Sequence, residues 1–376
     1  MDFSIVIPTW NRSNLVDELL NSLFAERIRY QDGKTEVIVV DSSIGDEKLS
    51  IVSSCEKYDA KYLAGDDSVR KKRNKGIRES QYDYILFIDS DVAVKKGLLD
   101  EYVSAYKENS RVKLGGILGY TEFVGKKTFW WKILELTPLV DSFAFARNYP
   151  FHSWTIGNNV SFKKSVLEEI GMFEENFPFK LGGDDLDMTY RVTKAGYMIG
   201  SAPNAVTYHS RETWNNFKAI HNRAMRWGTM ERLICNRHKE LYKRVIPKNY
   251  ILILLSLIVS LMIGVITSNW LPTVTVGILA TWNVILAYIK KIKSKGFCSP
   301  VHFCFAMVIE GMYEYYRIKQ SLKEKSLGAF YCGQVFNRFQ IRYGMKDDSK
   351  RIWNLLLSYT VIFMLVNIIS FLIERM

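Results

Sequence analysis

Through its first hundred residues the chain alternates short, wholly apolar runs with segments of helical period. "FSIVIP" reads as a first strand. "NLVDELLNSLF" follows, placing Leu15, Leu19, Leu20 and Leu23 on one helical face, with Asn14 as a cap. "EVIVVD" reads as a second strand, residues 46–58 as a second helix and "AKYLA" as a weaker third strand. The basic segment "SVRKKRNKGIRES" predicts a third helix and "DYILFID" a fourth strand. Continuous apolar runs such as "VIVV" and "YILFI" suit strands buried on both faces. A β-α-β-α-β-α-β order then predicts a mostly parallel sheet with helices on either side, an α/β fold. Residues 95–210 are mixed, and glycines in "LGGILGY" and "KLGGDD" mark turns. Further strands and loops there are expected to complete the sheet and cover a site.

The polar pattern changes downstream. No Asp, Glu, Lys or Arg occurs between Asn249 and Ile289, and a second charge-free run extends from Ile352 to Ile373. Residues 250–267 form a helix about 27 Å long at 1.5 Å per residue, close to the thickness of a bilayer core. "SNWLP" breaks it and residues 271–289 can return, which predicts a transmembrane helical hairpin. Lys239, Lys243, Arg244 and Lys248 precede the hairpin and "KKIKSK" follows it, so both ends are expected in the cytoplasm. Residues 353–373 are a third candidate span. "VHFCFAMVIEGMYEYYRIK" is too short and too charged to span, and is compatible with an interfacial helix. The expected organisation is a catalytic domain over 1–230, a basic juxtamembrane segment over 231–249, the hairpin over 250–289, an amphipathic segment over 290–352 and the last span over 353–373.

Composition refines this division. The net charge is +12, with the excess conspicuous just before the first apolar block, where anionic headgroups or a sugar diphosphate are apt partners. No nucleic-acid module pattern is present. Five cysteines without CxxC or Cys/His spacing fit a reducing compartment. "MDFSIVIPTW" lacks a basic region followed by a long apolar core, so a cleaved signal peptide is not expected.

The chemistry concentrates where the fourth strand stops. "DYILFIDSDVAV" ends an apolar run in Asp89 and Asp91, one residue apart. Parallel sheets bind ligands at the carboxyl ends of their strands, and residues i and i+2 of extended chain point the same way. Two carboxylates on one spot repel unless a cation lies between them or one is protonated. Oxygen ligands favour Mg²⁺ or Mn²⁺, and such a metal suits a departing diphosphate. A pair of turn or capping aspartates gives the same spacing.

The series "VIPTWNR", "VVDSS", "RNKGI" and "DYILFIDSDV", continued by "GNNVSFKKSVLEEIGMFEENFPFKLGGDDLDMTYRVTKAGY" and "NAVTYHS", resembles the inverting family 2 glycosyltransferases of GT-A fold over about residues 1–230. "RAMRW", Arg223 to Trp227, is similar to the (Q/R)xxRW element of membrane-embedded synthases and ceramide glucosyltransferases. The resemblance implies a nucleotide-sugar donor, with UDP expected, a Mg²⁺ or Mn²⁺ cofactor, and a lipid-linked or glycolipid acceptor at the membrane. By the same resemblance Pro8, Thr9 and Asp41 border the nucleotide base, and Arg12, Arg70 and Arg73 lie near the nucleotide. Asp89 and Ser90 approach the ribose or metal, Asp91 binds the metal, and His209 adds a ligand. Asp185 is the expected general base, although Asp184-Asp185 stands where Glu-Asp is usual and leaves the choice between the two open. Arg226 is expected to face the leaving diphosphate and Trp227 to wall the acceptor. Asp187 and Arg191, four apart, read as a structural ion pair. Trp130 and Trp131 fit an interfacial or acceptor contact, and equally the core. A processive polysaccharide synthase, a polyprenyl-phosphate glycosyltransferase, a nucleotidyltransferase and an inactive sugar- or lipid-binding subunit are the other readings of the pattern.

Overall fold

The computed structural model describes residues 1–176, 182–239, 242–244, 250–330, 332–334 and 361 of the 376. The chain divides into two compact units. The first takes in Met1–Lys127 and Leu139–Asn215, and the second Thr128–Pro138 and Asn216–Val335, with further residues beyond the described ones.

The first unit is built on a mixed nine-stranded sheet. Its opening half follows the predicted alternation: β1 (Phe3–Thr9), α1 (Ser13–Arg29), β2 (Thr35–Asp41), α2 (Gly45–Lys57), β3 (Lys61–Ala64), α3 (Val69–Glu79) and β4 (Tyr84–Ile88). These four strands are parallel, in the order β3-β2-β1-β4. Then come β5 (Val92–Val94), α4 (Leu98–Glu108), β6 (Leu114–Val124), α5 (Phe129–Leu134), α6 (Phe145–Asn148), β7 (Phe151–His152), β8 (Asn159–Lys163), α7 (Lys164–Glu169), α8 (Asp184–Lys194) and β9 (Met198–Ser210). The later strands extend the sheet as β8-β6-β9-β5, with β7 also on β9. β8 runs antiparallel to both β4 and β6, so the sheet is parallel on one side and mixed on the other. α5 is the element of this stretch that falls in the second unit.

Strand alternation sorts the core into two layers. Phe3, Ile5, Ile7, Leu86 and Ile88 face the layer holding Leu19, Leu20, Ile51 and Tyr102 from α1, α2 and α4. Val6, Ile85 and Phe87 face the opposite layer with Ile77 of α3, Val166 of α7, and Met188 and Val192 of α8. The continuous apolar runs of β1 and β4 therefore reflect burial on both faces. Extending the β4 parity by two residues puts Asp89 on the face shared by α3 and α8, which decides its partners.

The second unit is helical. α9 (Phe217–Arg237), α10 (Tyr250–Thr267), α11 (Leu271–Lys295) and α12 (Pro300–Lys323) carry it, with β10 (Tyr242–Arg244) paired antiparallel to β11 (Cys332–Gln334). α10 packs on α11 as the predicted hairpin, and α12 packs on α9. Among the described residues one helix, α11, is long and apolar enough to cross a membrane, and Ile253–Ile266 in α10 is a shorter apolar stretch. The candidate span over 353–373 lies outside the described residues apart from Val361.

Candidate active site

Thr9 and Asp41 close β1 and β2 and are register partners, so the strand ends bring them side by side. Asp41 is buried; one oxygen accepts from Ser43 N (2.9 Å) and Ser43 Oγ (2.6 Å), the other from the Tyr62 hydroxyl (3.3 Å). Ser43 Oγ in turn accepts from Asn11 N at 2.8 Å, where Asn11 takes a left-handed φ of 49° that turns the chain toward Arg12. Beneath them the buried Lys72 donates to the Thr9 carbonyl at 2.5 Å, and burial pushes its ammonium pKa down. Thr9 Oγ1 is buried with no hydrogen-bond partner among the described residues. Such an orphaned group at a strand end is a mark of a ligand site.

The next cluster is organised by Arg73. Its guanidinium is buried and stacked near Phe173 at 5.3 Å. Nη2 donates to Asp89 Oδ1 and to the Gly157 carbonyl, each at 3.2 Å, and Nη1 to Asp184 Oδ2 at 3.3 Å. Gly157 is required here, because a Cβ at this position would sit 2.9 Å from Arg73 Nη2. The Gly157 N–H donates to Asp185 Oδ2 at 3.1 Å, and the Asp89 N–H to the Asn158 carbonyl at 3.3 Å. One buried fork and one short stretch of backbone thus tie the end of β4 to the start of α8. Asn74, beside Arg73, exchanges hydrogen bonds with the backbone of Phe173 at 2.7 and 2.9 Å.

Asp184 and Asp185 open α8 immediately after Gly182 and Gly183, whose φ values of 109° and 83° suit glycine. Asp184 is buried on Arg73, whereas Asp185 is only half-buried. Burial, reinforced by the charge of Asp184 and partly offset by Arg73, raises the Asp185 pKa to about 6. Asp89 is likewise raised to about 6 by burial, against the pull of Arg73 and with the push of Asp91. The predicted Asp187–Arg191 pair is present at 3.0 Å, and Arg191 also donates to the carbonyls of Ile170 and Met172.

Asp91 takes different partners from Asp89. Arg12 Nη1 donates to Asp91 Oδ2 at 2.8 Å, and His209 Nε2 lies 3.6 Å from Asp91 Oδ1. β5 and β9 are paired at Val92 and His209, which brings the two together. His209 Nδ1 is 2.8 Å from the Ser210 carbonyl and must carry a proton to bond it, which leaves Nε2 as the ring nitrogen that faces the carboxylate. The ring is walled by Phe123 at 5.1 Å and Trp214 at 6.1 Å. An imidazole nitrogen beside a carboxylate is a pair of ligand types apt for a divalent ion. Among the described residues no three His, Cys, Asp or Glu side chains gather to hold a metal, so the predicted trio of Asp89, Asp91 and His209 is not assembled. Asp89 is committed to Arg73, and strand parity carries it to the α3 and α8 side.

The remaining predicted residues are distributed as follows. Pro8 and Ser90 are buried at the ends of β1 and β4, and Arg70 is half-buried on α3. Arg73, expected beside the nucleotide, has Nη1 and Nη2 engaged by protein groups, while its buried Nε has no hydrogen-bond partner among the described residues. Arg226, exposed, and Trp227, half-buried, lie on α9 in the second unit. Trp131 is a core residue bonded through Nε1 to Glu135 at 2.6 Å, while Trp130 joins a surface aromatic group with Phe217 and Phe305. Sequence reasoning passed over Ser43, Tyr62, Lys72, Asn74 and Gly157. The signal for Lys72 and Asn74 was their place beside Arg73 in a segment equally readable as a solvated helix face.

Residues 4–171 match glycosyl transferase family 2. Over that segment the chain is similar to this family. It is 27% identical over 241 residues to a chondroitin synthase of Pasteurella multocida, covering 55% of this chain and 24% of that protein. It is 30% identical over 175 residues to a poly(ribitol-phosphate) beta-glucosyltransferase of Bacillus spizizenii, covering 45% and 26%. Across these two curated relatives the match spans about a quarter of their length. Among solved structures, the mannosyltransferase PcManGT from Pyrobaculum calidifontis, in complex with GDP-Man and Mn2+, aligns with a TM-score of 0.45 at 15% identity, over 87% of this chain and 85% of that one.

Proposed function

We propose that the chain is a metal-dependent, inverting glycosyltransferase. It moves a single sugar from a nucleotide donor, UDP-linked, to a hydroxyl of a lipid-linked or glycolipid acceptor at the cytoplasmic face of a membrane. The observation that carries the proposal is the convergence of four carboxylates, Asp89, Asp91, Asp184 and Asp185, at one end of the sheet inside the segment similar to family 2 and the helix that follows it. Asp41, with Thr9 Oγ1 unsatisfied beside it, would receive the base. Asp91 and His209 would hold a Mg²⁺ or Mn²⁺ ion, whose contribution is to neutralise charge on the departing diphosphate. Arg12, which donates to Asp91 in the free protein, would be the residue to meet phosphate, a task its fork of donors suits.

Asp185 would take the proton from the acceptor hydroxyl as that oxygen attacks the anomeric carbon. Its carboxylate is held by the Gly157 and Leu186 N–H groups, which orients it, and a pKa near 6 leaves it ionised and basic at neutral pH. Arg226 would stabilise the leaving diphosphate and Trp227 would wall the acceptor. The exposed apolar hairpin of α10 and α11 would anchor the enzyme. The names of the relatives, a chondroitin synthase and a poly(ribitol-phosphate) glucosyltransferase, favour an acceptor that belongs to a surface glycan. The test is release of UDP from a panel of UDP-sugars by the purified chain in nanodiscs, with and without Mn²⁺ or Mg²⁺. Metal-dependent release from at least one of them is expected; release from none in the presence of metal contradicts the proposal.

A further inference from the structure

α12 is built inside out. Three ionisable residues along its length are turned into the helical unit: Glu310, Glu314 and Arg317 are 9%, 5% and 7% exposed, and the exposed Lys319 and Lys323 lie at its C-terminal end. Lys291 of α11 meets Glu310 at 3.1 Å, and Arg317 meets Glu231 of α9 at 3.4 Å and Glu314 at 3.9 Å. The Tyr313 hydroxyl adds a 2.6 Å hydrogen bond to Glu231. The outer face carries Val301, Phe305, Val308 and Tyr315, which are 56%, 40%, 51% and 47% exposed, together with the exposed Cys304. These positions recur at helical spacing and form a stripe about 21 Å long at 1.5 Å per residue.

A helix on a water-facing surface shows the reverse arrangement, since charged side chains are almost never buried unless paired and apolar stripes seek the core. In hydrocarbon the preference inverts: polar groups must be satisfied among neighbouring helices and the apolar face turns outward. The stripe is continued by Phe129, which contacts Phe305 at 5.5 Å, and by Trp130, which contacts Phe305 at 5.8 Å and Phe217 of α9 at 5.4 Å. α12 also packs on α10, whose outer residues Leu261 and Val265 are 47% and 68% exposed. At the C-terminal end Lys319 lies over the rings of Tyr315 and Tyr316 at 5.8 and 6.0 Å, a cation beside amphipathic aromatics of the kind that sits at headgroup level.

We infer that the outer stripe of α12, with the aromatic group of Phe129, Trp130 and Phe217, is a lipid-contacting surface that seats the helical unit against acyl chains beside the α10–α11 hairpin. The occupant is bilayer lipid, because the stripe is continuous with the exposed apolar hairpin and bordered by lysines that match anionic headgroups. The inference rests on the membrane association proposed above and is independent of the sugar-transfer chemistry.

The experiment labels Cys304 with a small environment-sensitive fluorophore in a chain whose Cys332 is replaced by alanine, the three buried thiols being left in place. A parallel chain carries the label at Val308→Cys with Cys304→Ala, and a third at Leu261→Cys in the hairpin. Each full-length protein is reconstituted in nanodiscs of zwitterionic and anionic phospholipid containing nitroxide-labelled acyl chains. All three labels should lose emission about twofold or more to the nitroxide lipid and resist aqueous iodide. Lipid quenching at Leu261→Cys with iodide quenching at both α12 sites overturns the inference and leaves the hairpin in the membrane. Protection of the α12 labels from both quenchers, with two copies per disc, would assign the stripe to a second copy and also overturns it. Iodide quenching at all three sites removes the membrane proposal along with it, whatever the transferase activity.

Discussion

The two units use the same residue types in opposite ways. In the sheet unit, two pairs at strand ends keep one partner accessible, beside the enclosed Arg73–Asp184 pair: Arg12 on Asp91 is 46% exposed, and Asp89 on Arg73 is 37% exposed. In the helical unit, Arg317–Glu231 is buried, Lys291–Glu310 is nearly so with side chains 14% and 7% exposed, and the outside is apolar. A buried pair with both members enclosed is a structural device, since removing one partner leaves an uncompensated charge. A pair left open on one side can exchange its partner for a ligand. Accessibility of one member, more than the presence of charge, separates chemistry from scaffolding here.

That contrast can be broken by substitution, beginning with the largest effect. Asp185→Asn should lower transfer on the order of 10²–10⁴-fold, the usual contribution of a general base, while UDP affinity stays unchanged. Measuring kcat alongside UDP binding checks this, and normal turnover would move the base elsewhere. Arg73→Met comes next. Leaving Asp184 buried without its partner should cost about 3 kcal/mol of stability, read from denaturant unfolding of the reconstituted protein. Arg73→Lys should recover part of that stability but not the full rate, because a single ammonium cannot replace the three-way fork. If Arg73 instead contacts the nucleotide, UDP affinity would fall while stability held. A smaller loss, about 1–3 kcal/mol, is expected for Glu310→Gln, which deprives the largely enclosed Lys291 of its charge partner. Its kcat and KM should be those of the parent, and a change in KM for donor would undo the division between the units.

The smallest effect lies in pH. Asp185 is raised from 3.8 to about 6, so the folded state holds the proton more tightly than the unfolded chain. Its contribution to stability is therefore full below about pH 4 and is lost as pH rises through about 6. Activity runs the other way, because the base works ionised, and transfer should rise through about pH 6. Asp184→Asn removes a neighbouring negative charge and should move that limb to lower pH. An unmoved limb would attribute it to Asp89.

The opening half of the fold was legible because β1, β2 and β4 are buried on both faces and announce themselves as unbroken apolar runs. The later strands were less so: β6 and β9 contain glycines, alanines and polar residues, and their antiparallel and parallel pairings depend on partners distant in sequence. The acids of the site could be read because each ends or starts an element. The separation of Asp89 from Asp91 could not, since it follows from the turn at Ser90 and Asp91, which ends the extended chain over which i and i+2 share a face. α12 was obscure for a related reason. Its charges argued against a membrane span and left only an interfacial helix, until their inward partners on α9 and α11 were seen.

Uptake of Mn²⁺ by the full-length protein, followed by electron paramagnetic resonance with and without UDP, tests the central claim most directly. Together, UDP and wild-type protein should immobilise the ion, and Asp91→Ala should leave it free in solution. Immobilisation of Mn²⁺ by Asp91→Ala with UDP as well as by the wild type would contradict a metal-bound diphosphate at the end of this sheet.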